Sequence, residues 1–162
     1  MTLHDLYLLS PELSLAGLAT VLLLLDLVVS RKGVVLTVGV VGLIVPLAFT
    51  VALWTGLGGD SVVENTGVLK NTLVVDKFSL FFKFLFIGVV AVVGLVSADY
   101  VKRLDKFQTE YFALVLYSAT GMMLMASTVE LITMYISLEL SSLPLAALAA
   151  FLRDGRSSEG GM

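Results

Sequence analysis

Long uninterrupted apolar runs, rather than alternation, organise this chain. Five of them approach the roughly 20 residues a helix needs to cross a bilayer core about 30 Å thick. They run from about Leu13 to Val29, from Val34 to Leu57, from Phe78 to Ser97, across the charge-free interval between Glu110 and Glu130, and from about Leu131 to Leu152. None shows the period-two alternation of a barrel strand, so each predicts a helix. The expected fold is an all-α polytopic membrane helix bundle with five transmembrane helices. Pro46, in the middle of the second run, predicts a kink there. The segment from Gly58 to Lys77 is the one sizeable loop between runs. Its apolar pieces, Val62-Val63 and Leu73-Val74-Val75, flank Asn65-Thr66-Gly67 and Lys70-Asn71, which predicts a small β-hairpin.

Composition agrees with that pattern. Of 162 residues, 58% are hydrophobic and 14% charged, and the mean hydropathy is +1.01. A soluble domain has about 45–50% apolar and about 25% charged residues. The excess is more than one core can bury, which excludes a soluble enzyme, a nucleic-acid reader and a disordered chain. A net charge of −3 offers no surface for a polyanion. With no cysteine, disulfides, thiolate metal sites and cysteine nucleophiles are also excluded.

Lysine and arginine set the expected orientation. Arg31 and Lys32 follow the first run, Lys102, Arg103 and Lys106 follow the third, and Arg153 and Arg156 follow the fifth. On the other side stand only Lys70 and Lys77, offset by Asp60, Glu64 and Asp76. The N-terminus is therefore expected outside and the C-terminus inside, with no signal peptide. The polar tail from Asp154 reads as a loop into a further helix, so the chain is expected to be cut short.

Three ionisable residues fall inside the expected spans, where each is costly and asks for a reason. Asp26 lies near the inner end of the first, where headgroups, Arg31 or Lys32 can satisfy it. Lys83 stands about 9 Å below the outer end of the third, within reach of the interface for a snorkelling stem. The structural reading is the plainer one for both, with a part in a proton pathway as the alternative for Lys83. Glu139 lies eight residues into the fifth span, too deep for a short side chain to snorkel. Burial penalises its charged form unless a cation lies close by, a balance that suits proton uptake and release. Tyr135 and Ser142, at i−4 and i+3, share its face and could order water around it. Pro144 removes the hydrogen bond to the carbonyl of Leu140, which predicts a loosened helix and a wet, buried site. Met122, Met123 and Met125 read as packing filler.

The run ELITMYISLELSSLPLAALAAFLRDGRSSE, Glu130 to Glu159, resembles the membrane subunit N of quinone oxidoreductases of the complex I type. Its core is Leu138-Glu139-Leu140-Ser141-Ser142-Leu143-Pro144. The stretch from Glu110 to Tyr117, Gly121, Ala126-Ser127, Asp26 after Leu22 to Leu25, and Val75-Asp76-Lys77-Phe78-Ser79 are similar to the same family. Related antiporter-like subunits share a weaker version of the motif. The resemblance implies the N-terminal part of a subunit of about fourteen helices. It implies that Glu139 is the proton-translocating acid, paired with a lysine from a later helix absent here. It also implies no redox cofactor in this chain, quinone, flavin and iron–sulfur clusters belonging only to the whole complex. Other membrane subunits, the lipid bilayer and protons are the implied partners, and the cell's inner (plasma) membrane or an equivalent energy-transducing membrane is the implied location. A subunit of a multisubunit cation/proton antiporter or membrane-bound hydrogenase, or a structural assembly scaffold, stands as the alternative.

Overall fold

In the computed structural model the described residues are 3–28, 32–56, 66–68, 72–101 and 108–157. They form helices α1 (Leu3–Leu8), α2 (Ser10–Val28), α3 (Lys32–Gly42), α4 (Ile44–Thr55), α5 (Lys77–Val101), α6 (Gln108–Ser127) and α7 (Leu131–Ser157). Strands β1 (Thr66–Val68) and β2 (Leu73–Val75) stand between α4 and α5. The chain is an all-α membrane bundle with one small hairpin attached. Among the described residues, four stretches are long and apolar enough to cross a membrane: Ser10–Val28, Thr37–Thr55, Lys77–Val96 and Leu131–Ala150.

The helix α6, which covers the expected fourth span, is 20 residues long but not among those four. Its place in the bundle explains the difference. It packs against α2, α3, α5 and α7, so Ser118, Thr120 and Ser127 are buried in protein. Each of these hydroxyls donates to a backbone carbonyl, of Ser141, Leu116 and Met123 respectively. A helix enclosed by other helices needs no lipid-compatible surface.

Local chemistry sets the element ends. Pro46 cannot donate to the carbonyl of Gly42, and the second span divides at Leu43 into α3 and α4. The interruption is one residue wide: Leu43 keeps right-handed helical dihedrals, φ −63° and ψ −17°, and the stretch Thr37–Thr55 remains one span. Gly56 ends α4 with φ 69°, its N–H bonded to the carbonyl of Ala52, a left-handed geometry that favours glycine. Asp76 caps α5: its Oδ1 accepts from the N–H of Ser79 at 2.7 Å, and its own N–H donates to the Ser79 hydroxyl at 3.0 Å.

The hairpin forms, with a corrected register. Thr66 pairs with Val75 and Val68 with Leu73, so Thr66-Gly67 belong to a strand rather than to the turn. Val62 and Val63, expected as that strand, lie outside the described residues, as do Arg31, Lys70, Lys102, Arg103, Lys106 and the run from Ser158. Leu73 and Val75 are buried, and the N–H of Val129 donates to the carbonyl of Thr72 at 3.1 Å. The hairpin therefore seals one end of the bundle against the α6–α7 turn. Here Leu8, Leu9, Leu53, Leu73, Val75 and Leu80 form one apolar cluster. A larger one, with Leu15, Leu22, Leu43, Ile87, Val90, Phe112, Leu116 and Met123, fills the rest of the core. Met123 and Met122 are core filler as expected, while Met125 is exposed.

Candidate functional site

Glu139 stands on α7, the least enclosed of the spanning helices, with only 11% of its window buried. One side of α7 packs on α6. A Cβ at Gly121 would meet Ser141 N at 2.5 Å, Leu140 C at 2.8 Å and Ser137 O at 2.9 Å. The glycine thus lets the two backbones touch one residue away from the acid. Ser118 Oγ donates to the carbonyl of Ser141 at 2.9 Å and fixes the same contact. The opposite side of α7, with Leu131, Ile132, Tyr135, Leu138 and Leu143, is exposed.

Glu139 itself is half-buried rather than enclosed, a correction to the expected buried site. Its fifth-helix position has protein on one side only. Tyr135, at i−4, shares the Glu139 face as the spacing predicted, near enough for the carboxylate to act on its hydroxyl electrostatically. Ser142 instead donates to the main-chain carbonyl of Glu139, at 3.4 Å. Ser137 and Ser141 likewise bond back to Thr133 and Leu138, so these hydroxyls satisfy their own helix. Pro144 is buried, and α7 continues through it.

Asp26 is half-buried, and its Oδ1 accepts from the Thr109 hydroxyl at 2.6 Å, tying the end of α2 to the start of α6. Of the expected partners, Arg31 and the Lys32 side chain lie outside what the structure describes; Thr109 was not foreseen.

Lys83 overturns its snorkelling expectation. Its side chain is fully buried and its Nζ lies 2.7 Å from Glu12 Oε1, itself 2% exposed. An ammonium this deep does not reach the interface because a carboxylate meets it inside. Glu12 was missed because the first span was expected to begin at Leu13, one residue too late. The signal was present: Glu12, Leu15, Ala19 and Leu22 recur at the 3-4-3 spacing of one helix face, and all four are buried. Leu80, Lys83, Ile87 and Val90 repeat that spacing on α5, again all buried. The ammonium of Lys83 therefore belongs to Glu12 and not to Glu139. Among the described residues no cluster of His, Cys, Asp and Glu could hold a metal.

Helices of this kind, with a carboxylate and a buried ion pair inside apolar spans, define a polytopic membrane protein. No family model matches the chain. Curated relatives do. The chain is 36% identical over 98% of its length to the NADH-quinone oxidoreductase subunit N of Moorella thermoacetica. It is 48% identical, over 54% of its length, to that of Dehalococcoides mccartyi. It is 31% identical over 99% of its length to the F(420)H(2) dehydrogenase subunit N of Methanosarcina mazei. The chain belongs to this subunit N family and corresponds to its N-terminal part. It spans 32% and 33% of the length of the Moorella and Methanosarcina relatives, and 18% of the Dehalococcoides one.

Proposed function

We propose that this chain is part of a proton-translocating membrane subunit of a quinone-reducing respiratory oxidoreductase, with Glu139 as a proton-transfer group. The observation that carries the reading is a half-buried carboxylate, with Tyr135 beside it, on the most open spanning helix of the bundle. Similarity over nearly all of this chain to part of an NADH-quinone oxidoreductase subunit supports NADH as the electron donor of the whole complex. The F(420)H(2) dehydrogenase relative supports a second donor on the same membrane architecture. In this reading α6 also crosses the membrane, giving five crossings with the N-terminus outside, in an energy-transducing membrane such as the cell's inner membrane. The chain holds no redox cofactor and works with the other membrane subunits.

Mechanistically, the exposed side of α7 receives helices from outside this chain, and one of them brings a cation towards Glu139. At an effective dielectric of about 20, opposite charges about 4 Å apart attract by about 4 kcal/mol, or about three decades in a proton equilibrium. Making and breaking that contact switches the carboxyl between holding and releasing its proton. Tyr135, one turn away on the same face, lies within electrostatic reach of it.

Glu139→Gln in the assembled complex tests this. Assembly and electron transfer to quinone are measured beside the protons moved per electron in sealed vesicles. Retained assembly with fewer protons per electron is expected. An unchanged ratio refutes the role, and it would favour the scaffold reading instead.

A further inference from the structure

Among the described residues, the fully buried charged side chains are Glu12 and Lys83, which form one pair. The helices α2 and α5 are bridged by their side chains rather than closely packed, while α4 and α6 each pack against both. The pair thus sits at the centre of a ring formed by α2, α4, α5 and α6. It marks the level where the cluster of Leu8, Leu9 and Leu80 gives way to that of Leu15 and Ile87. The ion-pair contact of 2.7 Å is short, but its angles do not make it a hydrogen bond. Both Glu12 oxygens and Lys83 Nζ consequently lack a hydrogen-bond partner among the described residues.

The surrounding elements offer little other charge. No ionisable residue occurs in α4. From α6 come Glu110, Tyr111 and Tyr117, all in its first half, and the Tyr117 hydroxyl is hydrogen-bonded to Thr20 at 2.8 Å. Asp5 and Tyr7 lie on α1, and Asp76 is engaged in capping α5. Glu12 and Lys83 therefore answer chiefly to each other.

Stability alone does not account for such a pair. A buried ion pair is often no better than apolar side chains of the same volume. One with unmet hydrogen-bonding capacity is worse. The unmet positions on both Glu12 oxygens are acceptor sites at which the carboxylate can take a proton.

We propose that Glu12–Lys83 is a second proton-exchange site, separate from Glu139. As its contact with Lys83 opens, Glu12 takes a proton from a hydronium ion, leaving water and a neutral carboxyl, while Lys83 stays an ammonium. The reverse step returns the proton to water. This rests on the reading that the chain serves a proton-translocating subunit.

The intact complex carrying Glu12→Leu with Lys83→Met provides the test, beside Glu139→Gln. Removing both charges together leaves no unpaired ion, so the double variant is expected to assemble normally and lose protons moved per electron. Wild-type pumping by the double variant, with pumping lost in Glu139→Gln, overturns this proposal alone. Unchanged pumping in both overturns the reading beneath it as well. Glu12→Asp keeps both charges and gives a second readout should the double variant fail to assemble. Infrared difference spectra between resting and turning-over complex are then expected to show a carboxyl C=O band that shifts in Glu12→Asp. Identical bands in wild type and Glu12→Asp overturn the proposal.

Discussion

Gly121→Ala is expected to force α6 and α7 apart beside Glu139. The added Cβ would stand 2.5 Å from Ser141 N, with Leu140 C and Ser137 O also inside 3.0 Å. All three are main-chain atoms of α7, so no rotamer change relieves them. Moving the nearest from 2.5 Å out to the 3.4 Å of ordinary contact displaces one helix by most of an ångström. The Ser118–Ser141 hydrogen bond, 2.9 Å long, crosses the same contact and must stretch with it. Overpacking costs about 1–3 kcal/mol, and the clash with fixed backbone places this site near the upper end. Alanine's better helix propensity returns about 1 kcal/mol. The net expectation is a loss of about 1–2 kcal/mol. Gly17 is the internal control, because nothing lies within 4 Å of a Cβ built there. Gly17→Ala should be neutral, or stabilising by up to about 1 kcal/mol. Heat denaturation of the purified subunit in detergent, followed by circular dichroism, compares the two. If Gly121→Ala melts at or above the wild-type temperature, the backbone contact is looser than the 2.5 Å approach requires.

Two further substitutions probe the packing. Phe112 fills the space beside Gly39, Gly94 and Leu22, so Phe112→Ala should cost about 3–5 kcal/mol in the same melting assay; a loss below about 1 kcal/mol would show that the bundle closes over the gap. Asp76→Ala removes the cap of α5 and should cost about 1 kcal/mol, seen as earlier hydrogen exchange at Ser79; unchanged protection there would mean that the 2.7 Å Asp76–Ser79 bond contributes nothing.

The fold was legible in the sequence wherever it depended on length and local chemistry. Apolar runs of spanning length gave the helices to within a few residues, because a backbone out of water has to bond within its own segment. Pro46 marked an interruption and Leu73-Val74-Val75 a strand. The Tyr135–Glu139 contact also followed from spacing, since i and i+4 are neighbours on any helix.

What the spacing left open was which helix meets which. Taken singly, Lys83 looked like a side chain bound for the interface, and Glu12 looked like a residue outside the span. Only the ring of α2, α4, α5 and α6 brings them to 2.7 Å and encloses both. The polarity of α6 had the same ambiguity: its serines and threonines weaken a membrane-span signal, yet they suit a helix surrounded by others. Gly121 took its meaning from the backbone of α7 lying against it. Apolar length is a property of one segment against lipid, so the chain alone determines it. Burial and pairing of charge are properties of several segments at once, and only the tertiary structure decides them.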